Sequence, residues 1–130
     1  MIDPTVRRLL EQTIDSPIKL QLLLMYYENP RMEGTARQVA QRIYRDIWST
    51  REALCELAED GVLTTTGRDG DPIYRYRPRS ELVEPIFRLV QSYDEPLERD
   101  QVQQILREVA SYAPYRRALR GGFSAEFQSL

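Results

Sequence analysis

Residues 35–77 read TARQVAQRIYRDIWSTREALCELAEDGVLTTTGRDGDPIYRYR, and this stretch decides the predicted fold. A capping box, Thr35 followed three residues later by Gln38, opens a short amphipathic helix. A second helix with two leucines follows and ends at a glycine. Two β-prone segments, residues 62–66 and 73–77, then flank a glycine-rich turn, which predicts a β-hairpin. The predicted order is helix, turn, helix, hairpin.

The second of these helices has two candidate caps. Ser49 and Glu52 form another capping box, which opens the helix at residues 49–60 and places Trp48 just before it. Asp46 is the alternative cap, and it places Trp48 inside the first turn. In either case the buried side consists of Ala53, Leu54 and Leu57.

Helices are also predicted on both sides of this stretch. A capping residue followed by proline, at residues 3–4 and 16–17, starts helices over about residues 4–13 and 17–28. The second is apolar on most sides, which predicts a central core helix or a subunit interface.

After residue 80, apolar residues recur at helical spacing in two stripes. They are Leu82, Ile86, Leu89, Val90 and Tyr93, and then Val102, Ile105, Leu106, Val109 and Tyr112. Pro85 interrupts the first stripe, so this helix either kinks there or begins near Glu84. We therefore predict a mostly α protein with one domain over residues 1–79 and a helical extension over residues 80–130.

The composition is that of a globular protein, with 42% hydrophobic and 29% charged residues in 130 positions. No apolar run approaches the roughly 18 residues of a membrane span, and the N-terminal residues lack the apolar core of a signal peptide. We expect a cytoplasmic protein without a membrane partner. A single cysteine, Cys55, excludes an intramolecular disulfide.

The net charge of −2 is unevenly distributed. Residues 37–51 hold four arginines and one acid, and residues 68–79 hold four arginines and two aspartates. Residues 80–110 hold three arginines and seven acids. A local excess of arginine favours phosphate contacts over residues 37–51 and 68–79, although a solvated surface explains the same pattern.

The apolar and turn residues of the central stretch resemble those of winged helix-turn-helix regulators. The matching positions are Val39, Ala40, Ile43, Thr50, Leu54, Leu57, Gly61, Val62 and Leu63. The multiple-antibiotic-resistance and arsenical-resistance regulator families share this pattern, and the resemblance covers residues 16–78. It implies a winged helix-turn-helix fold with a two-stranded β-hairpin wing, and a DNA-binding transcriptional regulator as the function.

The resemblance also implies roles for individual residues. Ser49 and Arg51 would approach base edges in the major groove of double-stranded DNA. Arg37, Arg42 and Arg45 would contact phosphates beside it. Arg68, at the hairpin tip, would reach the minor groove, with Arg75 and Arg77 behind it. The alternative is that strand pairing places Arg75 and Arg77 beside Glu or Asp residues, with which they form ion pairs rather than phosphate contacts.

Ile47 and Trp48 depart from the small polar or basic residues usual at the start of a recognition helix. If Trp48 is exposed, it favours a protein partner, because tryptophan is enriched in interface hot spots. The alternative function is therefore a winged-helix adaptor that binds protein without DNA.

The apolar helices outside the winged-helix stretch exceed what so small a core usually buries, which predicts a homodimer with residues 80–130 as the dimerisation element. The alternative is that these helices fold back and complete the core of a monomer. The chain has no histidine and no glycine-rich phosphate loop, and Cys55 lacks a histidine partner. We expect no enzyme activity, no cofactor and no metal, and the sequence does not indicate a small-molecule effector.

Overall fold

The computed structural model describes residues 2–67 and 70–119. In chain order the elements are α1 (Pro4–Gln12), α2 (Pro17–Glu28), β1 (Glu33–Gly34), α3 (Ala36–Ile43), α4 (Ile47–Glu59), β2 (Leu63–Thr66), β3 (Ile73–Tyr76), α5 (Ser80–Asp94) and α6 (Pro96–Arg117). Helices dominate, which confirms the predicted mostly α class. No helix among these residues is both long and apolar enough to cross a membrane.

The first two helices begin where the sequence predicts. The Asp3 carboxylate accepts a hydrogen bond from the backbone N–H of Thr5 at 2.7 Å, and proline follows at the first helical position. Ser16 caps α2 in the same way. Asp3 thereby satisfies one of the N–H groups that a helix start leaves without an internal partner.

The turn between α3 and α4 determines where α4 begins. The capping box of Thr35 and Gln38 is present, so the start of α3 is as predicted. Tyr44 ends α3 in the left-handed conformation, with φ 58°. Asp46 then caps α4, accepting from the backbone N–H of Ser49 at 2.8 Å. The Ser49 capping box is therefore wrong, and Trp48 lies in the first turn.

The sheet has three antiparallel strands in the order β1-β3-β2. The predicted wing had only β2 and β3; β1 pairs with β3 through Gly34 and Tyr74. Side chains alternate along β3, so Tyr74 is buried and Arg75 is exposed. Gly61, with φ 90°, makes the turn from α4 into β2, where a Cβ atom would collide with the side chain of Arg79.

The C-terminal helices fold back onto the rest of the chain. α5 and α6 pack against each other and against α1, and α6 also touches α2. Pro85 lies within α5, which begins at Ser80 rather than near Glu84. Of the two predicted stripes, Ile86, Leu89, Val102, Ile105, Leu106 and Val109 join the same apolar core as Leu22, Leu54 and Leu57. The inner faces of both helices are therefore covered within the chain, as in the alternative of terminal helices that fold back.

Candidate functional site

The helix predicted to read DNA, α4, has a buried side and an open side. Leu54 and Leu57 are fully buried, as predicted, and they belong to the core that contains Val39. Trp48, Ser49, Glu52, Cys55 and Glu59 are exposed on the other side. A helix held by its apolar residues while its polar side stays open is suited to contact a partner.

Three of the predicted arginines precede α4. Arg37 and Arg42 are exposed on α3. Arg45 is exposed in the turn, where its Nε donates to the side chain of Gln21 at 3.0 Å. Because α3 and α4 pack closely together, these guanidinium groups belong to the same structural unit as the start of α4.

The arginines of the wing have different surroundings. Arg75 forms an ion pair with Glu33 of the neighbouring strand β1. Arg77 is exposed just after β3. Arg68 lies outside the described residues. Arg75 thus has the acidic neighbour that the sequence analysis offered as the alternative to phosphate.

Two aromatic side chains stand out at the start of α4. Trp48 is 74% exposed and Tyr44 is 94% exposed. The half-buried Arg51 places its guanidinium 5.7 Å from the centre of the Trp48 ring, within the range of a cation–π contact. An exposed Trp48 is the condition that favours a protein partner.

Behind α4 lies an ion cluster that sequence reasoning missed. Its members are Asp15, Lys19, Glu56, Asp60, Arg116 and Arg117. Lys19 is only 2% exposed, and its ammonium donates to Asp15 at 2.7 Å and also to Glu56. Arg117 contacts Asp15 at 3.0 Å, Glu56 at 3.1 Å and Asp60 at 2.6 Å. The cluster ties α4 to the start of α2 and the end of α6.

The cluster also changes the pKa values of Asp15 and Arg117. Burial alone raises the pKa of Asp15, but hydrogen bonding and ion pairing with Lys19 and Arg117 outweigh it, so this pKa lies below its ordinary value. Burial alone lowers the pKa of Arg117, and its hydrogen bond to Asp60 with the charges of Asp15 and Glu56 raises it above the ordinary value. The charged forms of Asp15 and Arg117 are therefore stabilised by their partners in the cluster.

The sequence contains part of the signal for this cluster. Asp15 and Lys19 are four residues apart, as are Glu56 and Asp60, a spacing that brings two side chains close together at a helix. Asp15 lies just before α2, and Asp60 follows the last residue of α4. Glu56 pairs with Lys19, and Asp60 pairs with Arg117. Nothing local indicates that Arg117 meets Asp15, 102 residues earlier.

Cys55 lies on the exposed side of α4. Its sulfur lies 3.3 Å from the hydroxyl of Tyr74. Burial, with this contact, raises the pKa of Tyr74 above its ordinary value. Among residues 2–67 and 70–119, no group of three or more cysteine or acidic side chains is placed to hold a metal.

No protein-family model matches the chain, and no curated protein matches it. A solved structure titled "Possible transcriptional regulator from Methanosarcina mazei Go1" is similar over 72% of this chain and 78% of its own length, with 18% identity and a TM-score of 0.46. Similarity at this level carries no argument about function. The elements and their contacts themselves define the class of the fold, a winged helix-turn-helix with added terminal helices.

Proposed function

We propose that the chain is a DNA-binding transcriptional regulator that places α4 in the major groove of duplex DNA. The observation that carries the proposal is the open start of α4, which follows the exposed arginines of α3 and of the turn. Residues 37–51 hold four arginines against one acid, and that acid, Asp46, is engaged as the helix cap. Positive charge beside an exposed helix start suits a phosphate backbone.

The proposed contacts divide into two kinds. Ser49 and Arg51 approach base edges, because they lie in the first turns of α4. Arg37, Arg42 and Arg45 contact phosphates and set the position of the helix. At the wing, Arg68 and Arg77 add phosphate or minor-groove contacts, and Arg75 contributes less because it is paired with Glu33.

Salt-dependent binding tests the proposal. Fluorescence anisotropy with labelled duplexes from the neighbouring promoter, at about 50 and 200 mM salt, should show affinity falling steeply with salt. Arg42→Ala should weaken binding on all sequences alike and lower the salt slope by about one phosphate contact. Arg51→Ala should instead reduce the difference between specific and unrelated duplexes. Arg107→Ala, an exposed arginine of α6, is the matched control and should leave binding unchanged.

A second candidate function, a protein-binding adaptor, is favoured by the exposure of Tyr44 and Trp48. The same experiment separates the two functions. If no duplex binds in a salt-dependent way, and neither Arg42→Ala nor Arg51→Ala changes binding, the DNA proposal fails and the adaptor takes its place.

We also propose that the chain works as a cytoplasmic homodimer of the general kind found among multiple-antibiotic-resistance and arsenical-resistance regulators. The surface that supports a dimer lies in the segment predicted as a dimerisation element, residues 80–130. Val83 and Phe87, four residues apart on α5, are 53% and 43% exposed, and Tyr112 and Tyr115 are exposed on α6. Exposed apolar side chains on one helix face are typical of subunit contacts.

A further inference from the structure

A cleft of about 480 Å³ opens where α2, α4 and α6 meet. This volume lies within the range of small-molecule sites. Its wall includes Trp48, Glu52 and Glu56 on the α4 side, and Ala110, Ala113 and Pro114 on the α6 side. The three residues of α4 are spaced four apart, so an indole and two carboxylates line one side of the cleft.

The charges around the cleft are unequal. Its charged lining residues are Asp15, Lys19, Glu52, Glu56 and Arg117, three acids against two bases. Lys19 and Arg117 are paired with Asp15 and Glu56, so these four charges compensate one another. Glu52 is exposed and forms no ion pair with any residue that the structure describes. Among the described lining residues, Glu52 therefore carries the uncompensated charge, and it lies beside an apolar wall.

We propose that this cleft binds a small organic cation, namely an amine or guanidinium group attached to an apolar, planar body. The charged group would lie near Glu52, with which it would form a charge-assisted hydrogen bond. The planar body would pack against Trp48 and the small residues of α6. The contact of Arg51 with Trp48 shows that this indole already engages a cation.

The site has a regulatory consequence, which rests on the proposed function. A ligand that touches Trp48 and Glu52 occupies the first turns of α4, the segment proposed to enter the major groove. The bound cation would therefore change the affinity for duplex DNA. Binding of the cation itself does not depend on DNA, so it is tested alone.

Trp48 is the only tryptophan in the chain, and its fluorescence reports on the cleft directly. We would titrate the full-length protein with 4-phenylbutylamine, the neutral 4-phenylbutanol and the anionic 4-phenylbutyrate. The amine should give a saturable change in emission, with a dissociation constant of roughly a millimolar for a ligand of this size. The alcohol and the acid should bind more weakly.

Two variants of α4 make the test specific. Glu52→Gln should weaken amine binding about tenfold. Glu59→Gln is the matched control and should leave amine binding unchanged, because Glu59 is an exposed carboxylate of the same helix that does not line the cleft. The proposal is overturned if the amine gives no saturable change, if the acid binds as tightly, or if both variants have the same effect. Because no DNA is present, failure here leaves the proposed function standing.

Discussion

Lys19 is the only lysine in the chain, and the structure buries it inside an otherwise apolar helix. A buried ammonium is stable only when carboxylates compensate for its lost hydration, and Asp15 and Glu56 do so here. Lys19→Met keeps the length of the side chain and removes the charge. We expect it to lower the free energy of unfolding by about 1–3 kcal/mol in urea denaturation. Asp15 and Glu56 lose their bonds to Lys19 and keep only those to Arg116 and Arg117.

The matched comparison for Lys19 is an exposed ion pair. Arg75→Ala breaks the pair with Glu33 on the sheet surface, where both side chains are about half exposed. Such pairs contribute at most about 1 kcal/mol. Equal losses for Lys19→Met and Arg75→Ala would show that the ion cluster does not hold α4 in place.

Asp15 gives the cluster a pH dependence with a definite sign. Its pKa is lowered in the folded protein, so below its unfolded value of about 3.9 the unfolded chain binds more protons than the folded chain does. Its contribution to stability is therefore complete above that value and is lost as pH falls further. Urea denaturation from pH 5 to about pH 2 should show this decline, and Asp15→Asn should make it shallower. An unchanged pH profile in the variant would contradict the assignment.

Among the elements, sequence patterns predicted the helix starts best where one local hydrogen bond decides them. The proline starts of α1 and α2 and the capping box of α3 formed as expected. The start of α4 was ambiguous because Asp46 and Ser49 are both good caps at that spacing. β1 was missed because two residues, Glu33 and Gly34, carry no alternation pattern, and only pairing with β3 defines them.

The cap of α4 leads to a prediction at the scale of the element. Asp46→Ala should lower the melting temperature by a few degrees, because the backbone N–H of Ser49 loses its acceptor. Ser49→Ala should leave the melting temperature unchanged, since the Ser49 side chain is exposed and caps no helix. Circular dichroism melts of the two variants measure this. A larger loss of melting temperature for Ser49→Ala than for Asp46→Ala would instead place the helix start at Ser49.

At the scale of the whole molecule, the sequence predicted which residues are apolar but not where they are buried. The stripes of α5 and α6 were identified correctly as helix faces, yet their packing on α1 depends on contacts between distant parts of the chain. The ion cluster depends on the same contacts, because Arg116 and Arg117 reach Asp15 only once α6 has folded back. For the candidate site, the sequence identified the arginines and Trp48, but it did not identify the ion cluster that ties α4 to α2 and α6.

This folding back changes the argument for a dimer. Because the inner faces of α5 and α6 are covered within one chain, a second copy has only their outer faces to bury, and Val83 and Phe87 are the apolar residues there on α5. We predict that light scattering of the full-length protein at micromolar concentration gives about twice the chain mass of 15.3 kDa. Phe87→Glu should reduce this to one chain mass, since it places a charge in the proposed contact.

Tyr44→Glu is the matched control for Phe87→Glu, because it places the same charge on another exposed aromatic, in the turn between α3 and α4. It should leave the dimer mass unchanged. Two-fold DNA readers contact half-sites about one helical turn apart, so a dimer also predicts a palindromic site. A mass of 15.3 kDa for the unmodified protein would contradict both the dimer and the predicted palindromic site. Binding of one α4 to a single half-site would still be possible, and the salt-dependence experiment would test it.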